Sequence, residues 1–475
     1  SMERLQQIGR IAPLHASRIK RSRMGIGFEK LDRNVFDPFK AYDKLAATGV
    51  KWVRIQSGWA RTEKEKGVYD FSWLDSIVDE LCARGLTPWV CLCYGNGLYT
   101  PEGNHYFGAV GCVPNNSEEA LMAWQAYVYA IVSRYTGRVS CWEVWNEPDG
   151  KWCWKKGSDG AEYGRFVVDT AKAVKQADPS ARVFGGAIYG RDLKFTDDAL
   201  AAGMSECIDA LTFHEYTPTE VSLKERVDSL RALCHSYNPG IAIIQGESGS
   251  QSSSRGAGAM KGAAWTQRRQ AKQLLRHGVA DLLCGVQFTS YFSCMDMIEA
   301  LNGVTGDKSS YLDYGYFGIL GADFDENGFS SGEYTPKASY HALTHLCALM
   351  AEDPELVNLP VMMKKLPSPR LLGEDYYDLN MFRAGFRREN GSTALCYWPP
   401  ADLLTTEFES TVSFQIAGQQ GDIRLVDPMD GAVYRLPEGM IERQSDTCLL
   451  LSNLPIRDYP LFVTFGDFVG IEAGT

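Results

Sequence analysis

The sequence predicts an α/β protein: a (β/α)8 TIM barrel followed by an antiparallel β-sandwich. Three observations predict it. Between residues 24 and 350, strand-like apolar runs alternate strictly with helix-like stretches, eight pairs in all. From about residue 355 the chain changes to short alternating runs separated by turn signals such as Asp430-Gly431, the pattern of a sandwich. Glutamates also stand where two of the strands give way to loops, at the end of a parallel barrel where functional side chains gather.

The elements follow in order. Residues 24–28 read as the first strand and 38–48 as its helix, closed by Gly49. Residues 52–56 form the second strand, followed by a helix over 73–83 that ends before Gly85. The third strand covers 87–93. Its helix, 118–135, repeats apolar and aromatic residues at helical spacing behind Ser117, a fitting N-cap. Strand four, 140–145, stops at Asn146-Glu147-Pro148, because proline cannot donate to a ladder and pushes the preceding residue out of the right-handed helical region. Helix 163–177 follows, then strand five at 182–187, a short helical piece near 196–203 and strand six at 208–213. Helix 221–236, strand seven at 241–245, helix 266–277 and strand eight at 285–289 complete the alternation. An insertion over 291–334 precedes a last helix at 337–350. Beyond it, 392–398, 411–416, 423–426, 432–436 and 461–465 read as sandwich strands. The expected division is residues 1–22 as a segment joining the sandwich, 23–354 as the barrel and 355–475 as the sandwich. A doubly wound open sheet is the competing fold, but it has fewer strands and no glycine-rich dinucleotide loop follows strand one.

Composition narrows the function classes. A chain of 475 residues suggests two or three domains, and 45% hydrophobic with 12% aromatic residues suffices for a large core. The formal charge of −11 argues against nucleic acid or an anionic membrane as partner and leaves neutral ligands. Thirteen cysteines are scattered without CxxC, and Cys91-x-Cys93 is too close for a usual metal pair. They are expected to be reduced core residues of a cytoplasmic protein that uses no metal or cofactor. His341 and His345 lack the glutamate of a zinc motif and are expected to be structural. No apolar run reaches membrane-spanning length, and no signal-peptide core opens the chain. Ser1 is expected to be a cloning remnant ahead of a native Met2.

Strand seven ends Gln245-Gly246-Glu247-Ser248, so Glu247 stands where Glu147 stands on strand four. Strands four and seven lie three apart around an eight-stranded barrel, so these ends can face each other across the mouth. Two carboxylates there suit retaining glycoside hydrolysis, which needs them about 5–5.5 Å apart, one as proton donor and one as nucleophile. Like charges that close cannot both ionise freely, so one is expected to hold its proton. Arg54 is a charge inside an apolar strand, tolerable only with a partner such as the nucleophile. Strand six ends His214-Glu215-Tyr216, and Tyr216 is placed to donate to Glu247. His214 fits a sugar contact or a satisfied structural histidine equally well. Gln56, Asn96 and Glu29 are candidates on strand-end position alone. Among aromatics after strand ends (Trp59, Tyr94, Trp152, Trp154, Tyr291), Trp154 and Tyr291 are carried forward as sugar-stacking candidates.

Trp145-Asn146-Glu147-Pro148 together with Glu247 resembles the signature of glycoside hydrolase clan A, the retaining (β/α)8 enzymes. The resemblance implies Glu147 as acid/base, Glu247 as nucleophile and Asn146 as ligand of the sugar 2-hydroxyl. It likewise matches Arg54 to the clan's strand-two arginine and His214-x-Tyr216 to its strand-six His-x-Tyr. Within the clan, Gly67-Val68-Tyr69-Asp70-Phe71-Ser72 and the stretch from Trp145 to Asp149 followed by Trp152 and Trp154 look most like family 39, the β-xylosidase-type group. The sandwich tail fits that group too. Where many clan members end strand eight on tryptophan, this chain has Phe288-Thr289-Ser290-Tyr291, so the resemblance does not carry the sugar's identity. The expected function is a retaining β-glycosidase acting on a glycoside or oligosaccharide. Transglycosylation and non-catalytic glycan binding are the alternatives. The 291–334 insertion and the Gly/Ser/Ala-rich stretch 250–264 are placed to wall off one end of the cleft, which favours exo action on short substrates. Linkage and oligomeric state are not legible.

Overall fold

The structure is a computed structural model that describes residues 2–364, 381–404 and 407–473; Ser1 lies outside them. Eight parallel strands close into a barrel: β1 (Met24–Gly27), β2 (Trp52–Gln56), β3 (Thr87–Leu92), β4 (Cys141–Val144), β5 (Arg182–Ile188), β6 (Ala210–Glu215), β7 (Ala242–Ser248) and β8 (Thr289–Tyr291). They pair in sequence order, and β8 closes on β1 with Met24 opposite Thr289. Helices follow the strands as the periodicity requires. Ser117 caps helix Glu118–Tyr135 by accepting from the Ala120 amide at 3.1 Å.

Three elements of the barrel depart most from the sequence expectation. The helix read at 38–48 is a 3-10 turn, Pro38–Lys40, and a short α-helix, Tyr42–Ala47. The helix read at 266–277 continues through Gly278 as Gln267–Leu283. Gly278 looks like a stop, yet a Cβ there would meet the Leu346 side chain at 3.4 Å. The glycine therefore sits inside a helix that packs on helix Ala338–Leu349 and does not end it. Strand eight is shifted to Thr289–Tyr291, because closure requires it to meet β1 and β7 in register.

The barrel interior is layered. At the bottom, Trp89, Cys141, Phe184, Ala210, Ile244 and Phe288 form a separate apolar cluster, and Trp52 stacks on Phe288 at 4.4 Å. Above them the Arg54 guanidinium lies 5.6 Å from the centre of the Trp89 ring. An apolar plug with one cation on top forces acidic partners for that cation into the next layer.

The antiparallel part forms an eight-stranded and a four-stranded sheet. The N-terminal strand Gln6–Ile11 enters the larger sheet between Ala432–Arg435 and Ile471–Glu472. The insertion after β8 carries two hairpins, Met297–Ile298 with Tyr314–Gly315 and Leu320–Phe324 with Ser330–Pro336. Sandwich and barrel meet along helix Gln267–Leu283 through buried charges. Lys272 pairs with Asp458 at 3.0 Å. Arg276 pairs with Glu220 at 2.9 Å and donates to the Ala401 carbonyl at 2.8 Å, while the Trp398 indole donates to Glu220 at 2.8 Å. His345, on the neighbouring helix, is hydrogen-bonded to the Pro428 carbonyl, a structural contact. Arg276→Leu leaves Glu220 buried without its cation, so unfolding free energy is expected to fall by about 3–5 kcal/mol. Urea titration measures this, and a loss below about 1 kcal/mol contradicts it.

Among the described residues, no helix is long and apolar enough to cross a membrane.

Candidate active site

The strand ends open into a cavity of about 830 Å³. Glu147 reaches it from the loop after β4. Trp145 and Glu147 both lie in the left-handed region, at φ 67° and 42°, a conformation rare for such residues and concentrated at functional sites. Pro148 explains half of this, since it bars Glu147 from the right-handed helical region. The Glu147 amide is tied down by the Ala187 carbonyl of β5 at 2.9 Å.

Glu147 and Glu247 face each other. A carboxylate oxygen of each and a ring nitrogen of His214 all lie within 4.8 Å of one another. His214 Nδ1 is 2.8 Å from Glu147 Oε2 and 3.6 Å from Glu247 Oε2. The other Glu147 oxygen accepts from the Trp152 indole at 2.7 Å. Glu247 accepts from Arg54 at 2.7 Å and from the Tyr216 hydroxyl. Burial pushes the Glu247 carboxyl up, but His214, Arg54 and the Tyr216 hydrogen bond outweigh it and hold Glu247 below the ordinary value. For His214 burial works downward, and the two neighbouring carboxylates reverse it, leaving the imidazole raised. These three side chains also have the donor types of a metal site. On one side of this set Arg54, 2.7 Å from Glu247, supplies a positive charge.

Arg54 organises the layer beneath. Wholly buried, it donates to Glu143 at 2.7 and 3.0 Å, to Glu247, and to the Asn146 amide oxygen at 2.8 Å. Thr212 donates to the remaining Glu143 oxygen at 2.5 Å. Asn146 turns its amide nitrogen to the Tyr94 hydroxyl at 2.9 Å. Glu143 was missed from the sequence although its signal equals that of Arg54, a charge inside an apolar strand.

Of the sequence candidates, Glu147, Glu247, Asn146, Arg54, His214, Tyr216 and Glu29 come together, with Gln56 and Tyr94. Three do not. Trp154 is fully buried, edge-on to Trp145, Tyr163 and Phe166. Trp152, two residues earlier, faces the cavity instead, beside Tyr189 at 4.8 Å. Tyr291 turns its hydroxyl to the Ser250 amide at 3.4 Å, whereas the next residue, Phe292, points into the cavity as neighbours in an extended chain must alternate. Phe292 and Phe317, 5.3 Å apart, form an aromatic corner with Tyr216. Asn96 binds the Glu63 carbonyl at 2.8 Å and the Leu98 amide at 2.9 Å, a loop clamp away from the cavity. Lys30, Arg33 and Glu299 line the cavity and were missed; only the first two, just after β1, carried a positional signal.

A closed barrel with facing glutamates after β4 and on β7, an asparagine before the first and an arginine below the second is the arrangement that the resemblance to clan A of the glycoside hydrolases implies. Residues 42–223 match the sequence model of glycosyl hydrolases family 39. In that stretch the chain is similar to family 39 glycoside hydrolases, and to β-xylosidases among them. It is 29% identical over 162 residues to a β-xylosidase of Geobacillus stearothermophilus, a stretch covering 32% of this chain and 31% of that protein's length. Two solved structures share the fold. A family 39 glycoside hydrolase from the gut symbiont Bacteroides cellulosilyticus WH2 has a TM-score of 0.62 at 17% identity, covering 94% of this chain and 81% of that one. The family 39 enzyme of Xanthomonas axonopodis pv. citri has a TM-score of 0.61 at 17% identity, covering 95% and 94%.

Proposed function

We propose that this protein is a retaining β-glycosidase of the β-xylosidase type, acting by double displacement. The observation that carries the reading is the approach of Glu147 and Glu247 carboxylate oxygens to within 4.8 Å. That approach suits the about 5–5.5 Å pair of retaining enzymes and leaves no room for the water of an inverting one, at about 6.5–9.5 Å. Glu247, held ionised by Arg54, His214 and Tyr216, attacks the anomeric carbon. As the bond to the leaving oxygen breaks, that oxygen takes the proton carried by the Glu147–His214 pair. Water then attacks the glycosyl ester, gives its proton to Glu147 and releases Glu247 as carboxylate. Trp152 fixes the other Glu147 oxygen so that the acid keeps one orientation.

Exo action on glycosides or short oligosaccharides is supported by what walls the cavity. Gly258 and Lys261 from the 250–264 stretch, and Glu299, Asn302 and Phe317 from the insertion, line it. A cleft so flanked suits a chain end better than a chain interior. The test is a panel of 4-nitrophenyl β-glycosides with proton NMR of the first sugar released. The β-anomer is expected first; initial release of the α-anomer rejects double displacement.

Removing the Tyr216 hydroxyl withdraws one group that lowers the Glu247 pKa. In Tyr216→Phe that pKa rises, so a larger share of the nucleophile is protonated at a given acid pH. The acid limb of kcat/KM is therefore expected to move to higher pH, with kcat down about 10- to 100-fold. A limb that stays in place contradicts the assignment.

A further inference from the structure

The wall of the cavity beyond the two catalytic glutamates holds polar groups that the mechanism does not use. Glu29 is 1% exposed, yet neither of its carboxyl oxygens has a hydrogen-bond partner on another described residue. Its place is built into the fold. A Cβ at Gly27, two residues earlier on β1, would overlap both oxygens and the carboxyl carbon, so only glycine leaves the carboxyl room where it lies. The Arg33 guanidinium lines the same cavity with Nη1 buried and unpartnered among the described residues, while its Nη2 is held by Gln56 at 2.8 Å. A buried polar group without a partner is costly, and such groups aimed into one cavity mark the place of a ligand's own hydrogen-bonding groups.

We propose that Glu29 is the specificity-determining residue of the glycone subsite, exchanging hydrogen bonds with two adjacent ring hydroxyls of an uncharged sugar while Arg33 donates to one of them. The inference rests on the glycosidase reading above. Burial pushes the Glu29 carboxyl well above the ordinary range; Glu247 adds to this, and Arg54 only partly offsets it. A neutral carboxyl both donates and accepts, as a pair of hydroxyls does, so the match is one for one. The same wall disfavours a uronic acid. Lys30 is drawn to the Ile298 carbonyl at 2.9 Å and faces Glu299, and a uronate carboxylate set against Glu29 would exchange its water for a neutral carboxyl that offers it a single proton.

The test uses the full chain and the variants E29Q, E29A and G27A, with kcat/KM measured on 4-nitrophenyl β-xyloside, β-glucoside and β-glucuronide. Wild type is expected to turn over a neutral glycoside at least a hundredfold faster than the glucuronide. E29A is expected to lose about a hundredfold on the best neutral substrate, and E29Q, which keeps a donor and an acceptor, less than tenfold. G27A is expected to resemble E29A, because the displaced atoms belong to a flexible side chain, and to add nothing in the double variant. The 3-deoxy or 4-deoxy analogue of the best substrate is expected to erase the E29A effect. E29A within threefold of wild type, or the glucuronide as best substrate, overturns the proposal while leaving the glycosidase reading intact. If wild type hydrolyses none of the three, that reading fails instead. Glu29 is then judged by calorimetric binding of free D-xylose and D-glucose, where tighter binding by wild type than by E29A upholds it and equal or absent binding rejects it.

Discussion

Glu247→Ala is expected to lower kcat by about four to six orders of magnitude with little change in unfolding midpoint, because in the proposed double displacement the missing group is the one that forms the new bond. Truncation opens space on the face from which that carboxylate attacks, beside the unchanged Arg54 and Tyr216 donors. Azide at high concentration is expected to enter there and restore part of the turnover. Its product from a β-glycoside is then the α-glycosyl azide, a single inversion. Glu147→Ala gives the contrasting result. With a good leaving group the glycosyl ester still forms, azide attacks it in place of water, and the β-glycosyl azide appears. NMR of the two azides thus assigns the two glutamates separately. Exchanged products mean exchanged roles, and no rescue in either variant removes both assignments.

Arg54→Met is the second large effect, and it strikes fold and chemistry together. The side chain is wholly buried, and its removal leaves Glu143 and Glu247 as buried carboxylates without their cation. Breaking one side of such a cluster costs about 3–5 kcal/mol, whereas replacing the buried pair by apolar groups of similar size is often near neutral. Urea unfolding is therefore expected to show a loss of that size in Arg54→Met and recovery of most of it in Arg54→Met/Glu143→Met. Activity is expected to stay at least a hundredfold down in both, since Glu247 has lost the charge that keeps it ionised and Asn146 has lost the donor on its amide oxygen. Equal stability of wild type and Arg54→Met, or recovered activity in the double variant, contradicts this account.

The local signals that were legible share one property: each is written within a few residues. Strand four ending at Asn146-Glu147-Pro148, strand seven ending at Glu247 and the His214-x-Tyr216 step need only an apolar run and the residue that stops it. Arg54 was legible because an apolar strand does not keep a lone charge. Glu143 carries the same signal, masked by two neighbouring tryptophans and a second glutamate.

What failed was direction. Trp152 and Trp154 stand two residues apart in a tight turn, and packing sends one to Glu147 and the other into the core with Trp145 and Phe166. Tyr291 and Phe292 are adjacent, and the register of β8 against β7 sends the tyrosine to Ser250 and the phenylalanine into the cavity. A one-residue slip in an extended segment reverses every side chain, and register is set by the neighbouring strands.

The sequence by itself determined the barrel with its sandwich, and named the two glutamates with the arginine, asparagine, histidine and tyrosine that surround them. Hydrophobic period, strand-ending residues and the intolerance of an apolar strand for a lone charge are local properties, readable wherever they occur. Only the tertiary structure decided which aromatic faces the cavity, that Glu143 anchors Arg54, and that Glu29, Arg33 and Glu299 line the same cavity. Closure of the barrel places β1 beside β8 and folds the insertion back over the mouth. Residues 270 positions apart (299 − 29 = 270) therefore share a cavity that no stretch of the chain describes alone.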